Sequence, residues 1–154
     1  MIKLVKVKQS FYDLCNGNNV ADELLFNECG RPCVLIVKLK YKGQLRDFVV
    51  PLRSNISKST PRSQYFSLPP NPRTMQGHKH GIHYIKLFPI ARSYIDTYLV
   101  DENPYYNTIL NIIKKREQLI VSACQKYLDQ CAQGNKHFMT PNIDGIIALL
   151  DSLQ

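Results

Sequence analysis

Two clusters of side chains in this sequence have the chemistry to act on a phosphodiester. The first is Pro51-Leu52-Arg53-Ser54-Asn55-Ile56, where the end of a hydrophobic strand is expected to hand polar side chains to a loop. The Arg53 fork matches phosphate oxygens, and the Ser54 hydroxyl can donate to the same group. Ser-Asn after a strand is also ordinary turn chemistry, so these letters alone leave both readings open. The second cluster is His78-Lys79-His80-Gly81-Ile82-His83. Imidazoles exchange protons near neutrality, so one of these can serve as acid or base, while simple hydrogen bonding to phosphate is the plainer role. A zinc site would enlist His78, His80 and His83 with Cys29 or Cys33. That pattern matches no structural-zinc spacing, and the cysteines are distant in sequence. Neither a metal nor any other cofactor is expected.

The surroundings of both clusters are cationic. Between Asp47 and Asp96 there is no acidic residue, while Arg53, Lys58, Arg62, Arg73, Lys79, Lys86 and Arg92 add seven positive charges. A surface kept only for solubility intersperses both signs. Cations with Tyr65 and Tyr84 in a loop-rich segment suit phosphates and unstacked bases, as single-stranded RNA recognition requires. Lys58, Arg62, Arg73, His78, Lys79 and Lys86 are therefore candidate RNA contacts. Lys114, Lys115 and Arg116 extend that groove if their helix borders it, and otherwise form a solvated face. Because two-metal nucleases hold their ions with carboxylates, cleavage here would be metal-free. The substrate's own 2′-hydroxyl would attack the adjacent phosphate, assisted by a proton acceptor, a proton donor and cations.

The elements that must position these groups follow from period and punctuation. The 154 residues are 44% apolar with 9 Tyr, 6 Phe and no Trp, enough for one domain spanning 1–154 with its own core. A net charge of +8 favours a polyanionic partner. No stretch reaches a membrane span, and MIKLVKVKQS has lysines scattered through it, so a cytoplasmic protein is expected. Five cysteines without a CxxC pair fit reduced thiols. Ile2 to Val7 reads as a strand, followed by a turn of helix capped by Ser10. CVLIVKLKY and LRDFVVPL form a hairpin about Lys42-Gly43. Prolines 51, 61, 69, 70, 72 and 89 confine the middle to loops and short strands, with YFSL and HYIKLFPIA as the strand candidates. Asn103 and Pro104 open one long amphipathic helix or two in series, ending near Gly134, and Thr140-Pro141 open a last helix. The fold class is α+β, an antiparallel sheet with helices packed around it.

The hairpin followed by PLRSN, together with HGIHYIKLFPI, resembles the toxin endoribonucleases of type III toxin–antitoxin systems. The chain looks most like the CptN branch, relatives of ToxN, AbiQ and TenpN, and the order of elements agrees over nearly its whole length. The resemblance implies a twisted antiparallel sheet with surrounding helices. It also implies a sequence-specific, metal-independent ribonuclease leaving a 2′,3′-cyclic phosphate on mRNA and on its own antitoxin precursor. The partner implied is a small folded antitoxin RNA, a pseudoknot cut from a repeated precursor, closing with the protein into rings, with a role in growth arrest or phage defence. Position by position, Ser54 matches the family's active-site serine, and Arg31 falls where ToxN-like members carry lysine. Arg53 stands where ToxN has threonine and Ile56 where it has lysine, so Arg53 or Lys58 must supply that loop's cation. His80 or His83 then becomes the proton-transfer group. The catalytic set expected is Arg31, Arg53, Ser54, His80 and His83. The competing reading is a non-catalytic RNA-binding module that uses the same loops for affinity alone.

Overall fold

The computed structural model of the chain describes residues 2–25, 34–98 and 103–154, with the backbone alone described for 34–36. Arg31, Cys29 and Cys33 lie outside the described residues. β1 (Val5–Val7) runs directly into α1 (Gln9–Gly17). The expected cap, Ser10, lies inside that helix. Lys8 occupies the cap position without a side-chain bond, and its N–H donates to the Tyr94 carbonyl at 2.8 Å, so tertiary pairing fixes the turn.

The hairpin forms as expected. β2 (Val34–Tyr41) and β3 (Gln44–Val50) pair with Tyr41 opposite Gln44. Lys42 (φ 49°) and Gly43 (φ 84°) both take the left-handed conformation that a two-residue hairpin turn of matching twist requires. At Pro51, which has no N–H to give a ladder, the strand breaks and resumes as β4 (Leu52–Ser57). The sequence reading placed Arg53 and Ser54 at a strand-to-loop junction; they lie on this strand instead. β5 (Tyr65–Leu68) follows a short 3-10 turn.

HYIKLFPIA, expected as one strand, is divided. β6 (His78–His83) begins earlier, a 3-10 turn covers Tyr84–Lys86, and β7 is only Phe88–Pro89. Residues Tyr84 to Phe88 are buried without alternation, and a segment covered on all sides has no period-two face to offer a ladder. β8 (Ile95–Thr97) pairs with β1. The strands make three small antiparallel sheets, β1-β8, β2-β3-β7 and β4-β6-β5, where the sequence suggested one. The two three-stranded sheets are stitched at Pro51, whose carbonyl accepts from the His83 N–H at 3.1 Å.

α2 (Pro104–Lys115) starts on Asn103, whose side chain accepts from the Tyr105 N–H, and α3 (Glu117–Ala132) follows in series after Arg116. Gly134, at φ 88°, ends it. α4 (Ile143–Ser152) is capped by Asn142, accepting from the Gly145 N–H, so it opens after the expected Thr140. The Thr140 hydroxyl is engaged with that of Tyr127. β3 is buried on both faces: Phe48 and Val50 join a core with α2 and α3, while Val49 joins a second with Phe11, Phe88 and Ile146. Cys15, Cys124 and Cys131 are buried free thiols, and burial pushes Cys15 up to about 11 and Cys124 up to about 12. That makes them unreactive.

Candidate active site

The β4-β6 ladder contains one irregularity, and it falls at the candidate residues. Arg53 pairs with Gly81 and Ile56 with Lys79, so Ser54 and Asn55 together face His80. Two residues against one is a β-bulge, a device that re-aims side chains and recurs next to active sites. Here the loop from Pro69 to Met75 folds over it. Asn55 binds that loop through its Nδ2, which donates to the Arg73 carbonyl at 3.0 Å, and its Oδ1, which accepts from the Met75 N–H at 2.7 Å.

Asn71 fixes Ser54. Its Oδ1 accepts from the Arg73 N–H at 2.8 Å and from the Thr74 hydroxyl at 3.2 Å, which identifies the other amide atom as the donor. Nδ2 donates to Ser54 Oγ at 2.9 Å. The serine oxygen thus acts as acceptor, and its own proton is left to donate to an incoming oxygen.

His80 is held by the same loop. Its Nδ1 lies 2.8 Å from the Pro69 carbonyl and 2.7 Å from the Tyr105 hydroxyl, which in turn donates to the Pro69 carbonyl at 2.7 Å. Only a proton on Nδ1 satisfies this triangle, and Nε2 is then the nitrogen with the free lone pair. Burial lowers the His80 pKa, with the Pro69 bond opposing, and burial pushes the Tyr105 phenol up to about 12. His80 is consequently a neutral imidazole of fixed tautomer at pH 7.

Arg53 and His83 form a separate group. Alternation along β6 puts His80 and His83 on opposite faces, and Arg53, in register with Gly81, shares the His83 face. Arg53 Nη1 lies 3.5 Å from His83 Nδ1. Since a guanidinium only donates, His83 carries its proton on Nε2. Among the described residues, that Nε2 is the buried side-chain polar atom with no hydrogen-bond partner. Burial, then Arg53, Lys86 and His137, push the His83 pKa down to about 3. The expectation that Arg53 and Ser54 hold one phosphate, with His80 or His83 moving the proton, is therefore corrected in its grouping: the strand's alternation pairs Ser54 with His80 and Arg53 with His83 on opposite faces.

Comparisons with known proteins come down to shape. No family model matches the chain, and no curated protein does. Two solved structures superpose on nearly all of it. One comes from work on bacterial type III toxin–antitoxin systems and selective toxin inhibition by a non-coding RNA pseudoknot; it has a TM-score of 0.73 at 15% identity and covers 99% of this chain and 97% of its own. The other concerns a processed non-coding RNA that regulates a bacterial antiviral system, with a TM-score of 0.67 at 16% identity, covering 97% and 98%. The chain has the ToxN-like α+β fold.

On this ToxN-like frame the remaining cations fall into three classes. Lys58, Arg62, Arg73 and Lys79 are exposed and have no carboxylate partner among the described residues, and His78 is half-buried. Lys86, expected at the RNA surface, is buried and sits 2.7 Å from Glu23 Oε2, whose carboxyl it holds below the usual range. An acid from outside the acid-free window takes that charge inside, and Asp47 likewise meets Arg92 at 3.2 Å. Lys114, Lys115 and Arg116 are exposed at the α2-α3 junction. The first two also suit a helix C-terminus, and only Arg116 is placed facing the basic ribbon, across a cleft from Arg62.

Among the described residues no three His, Cys, Asp or Glu side chains are grouped so as to hold a metal ion, and no helix is long and apolar enough to cross a membrane. Sequence reasoning missed Asn71 and Tyr105. The Asn71-Pro72-Arg73-Thr74 spacing is an Asx-turn signal that could have flagged the first. Tyr105 reads as one packing aromatic among several, with no local signal.

Proposed function

We propose that this protein is a metal-independent endoribonuclease, the toxin of a type III toxin–antitoxin pair, working at the Ser54 bulge. The carrying observation is the Pro69–Asn71 loop, which leaves the Ser54 proton free on one side and sets His80 Nε2 as a proton acceptor on the strand opposite. Ser54 donates to a non-bridging phosphate oxygen, and His80 accepts the 2′-hydroxyl proton as the oxygen attacks phosphorus. The P–O bond to the 5′-oxygen of the next nucleotide breaks, that oxygen takes a proton from solvent and His80 returns its proton to solvent, giving a 2′,3′-cyclic phosphate. Arg73, exposed in the covering loop, supplies a cation on this side, and Arg31, outside the described residues, is the other cation of the expected set. Arg53 with the unpartnered His83 N–H is a second anion-receptive point on the far face, where an entering phosphate oxygen would satisfy a buried donor.

The antitoxin in this reading is a small folded RNA, a pseudoknot cut from a repeated precursor, and any ring of protein and RNA is RNA-mediated. The likeness to structures concerned with RNA-inhibited toxins supports it. Tandem repeats upstream of the coding sequence would be the antitoxin, and self-association of protein alone would contradict RNA-mediated assembly.

A second reading, an RNA-binding module without cleavage, is favoured by the burial of both histidines. Incubating the free protein with varied transcripts separates the two. Cyclic-phosphate ends that vanish in Ser54→Ala, with RNA binding retained, support the enzyme; intact RNA after long incubation supports the module.

A further inference from the structure

On the far side of β5 from β6, a cleft of about 800 Å³ opens between the Arg62–Leu68 ribbon and α3 with the turn that follows it. None of the residues lining it is acidic. Arg62, Arg116, Lys126 and Lys136 stand exposed around it with no carboxylate partner among the described residues, although the chain holds 12 acids. Like-charged groups gathered round a concave surface raise the local concentration of anions.

The second feature is aromatic. Phe138, next in the chain to the lining residue His137, is 82% exposed, and its ring stacks on that of His137 with centroids 4.6 Å apart and planes 25° from parallel. His137 lines the cleft, and its Nδ1 accepts from the Met139 N–H at 3.1 Å, which fixes the ring and leaves Nε2 to donate. Leu119 on the opposite wall is 48% exposed. A large apolar ring kept in water on a prepared support, beside unpaired cations, is how a surface offers a base a stacking platform and its phosphate a counter-charge.

We propose that this cleft is a nucleotide-binding subsite for single-stranded RNA, with a base on the His137–Phe138 stack and flanking phosphates on Arg62, Lys126 and Lys136. It rests on the reading of the protein as one that acts on RNA, and it adds residues near the C-terminus to an interface otherwise drawn from the middle of the chain. It is distinct from the Ser54 bulge, since β5 and β6 intervene. A strand held at both would run across that small sheet.

The test uses the full-length protein and a fluorescein-labelled 2′-O-methyl RNA decamer of mixed sequence, which lacks the attacking hydroxyl and cannot be cut. Phe138→Ala, too exposed to disturb folding, should weaken binding about ten-fold, the loss of one base stack. Lys126→Ala with Lys136→Ala should flatten the dependence of log K on log salt by about 0.7 for each phosphate released. Leu45→Ala, an exposed apolar residue on the hairpin, should bind as wild type. Unchanged binding in both cleft variants overturns the subsite, as does competition by polyglutamate of equal charge matching that by RNA. Cleavage of ribose transcripts is scored separately. A protein that cuts nothing yet loses the probe on Phe138→Ala keeps the subsite and loses the ribonuclease. One that cuts while Phe138→Ala leaves probe binding and KM unchanged keeps the ribonuclease and loses the subsite.

Discussion

From Val37 opposite Phe48 to Tyr41 opposite Gln44, the β2-β3 hairpin pairs residue for residue, and the buried side chains it describes are apolar or aromatic. In the β4-β6 pair two residues face one, and the side chains at that point are a serine, an asparagine and a histidine, each bound to loop atoms. The first arrangement maximises ladder bonds and packing; the second gives up a ladder step and aims polar groups. The two pairs meet at Pro51, so one unbroken stretch of chain turns from scaffold into candidate chemistry within a few residues. Regularity supports the site, and irregularity forms it.

The sharpest break of this contrast is on the scaffold side. Phe48→Ala should cost about 3–5 kcal/mol in denaturant unfolding, while activity per folded molecule stays near wild type. Ser54→Ala should do the reverse. It removes a donor from the transition state and lowers kcat by roughly 10²–10³, with a melting temperature close to the parent's; an unchanged kcat would remove Ser54 from the chemistry.

The next effect is on pH. The His80 and His83 pKa values are both depressed in the folded protein, that of His83 to about 3, so the unfolded chain takes up protons that the folded one refuses. Stability is complete above the ordinary histidine range near pH 6.5 and is lost as pH falls towards the folded values, by up to about 1.4 kcal/mol per pH unit for each histidine. His83→Gln should flatten that slope in acid unfolding curves, and a slope identical to wild type would contradict the burial described. The smallest effect is at the hairpin turn. Gly43→Ala forces a side chain into a left-handed conformation and should cost about 1 kcal/mol without touching cleavage.

The hairpin, its turn, the helix start at Asn103 and the stop at Gly134 were legible because each is a local signal: alternation, a positive-φ pair, a cap. The α+β class with antiparallel pairing was legible too, though the strands divide among three sheets; the undivided HYIKLFPIA strand failed where burial on all sides overrode alternation. At the candidate site, residue types were legible and grouping was not. Because β4 runs through both residues, ordinary alternation parts Arg53 from Ser54, and no pattern in the letters announces the bulge that sets Ser54 and Asn55 together against His80. Lys86 shows the same limit for charge, since an acid-free window in sequence says nothing about Glu23 arriving from elsewhere.

The Ser54 centre is assembled from Ser54, Asn71, His80 and Tyr105, and its last member opens α2. A nascent chain on the ribosome holds no complete version of this arrangement until Tyr105 has left the exit tunnel. Most of the polypeptide is therefore synthesised before the constellation can close, and a truncated product ending upstream of that tyrosine would lack the hydroxyl that completes the triangle around His80.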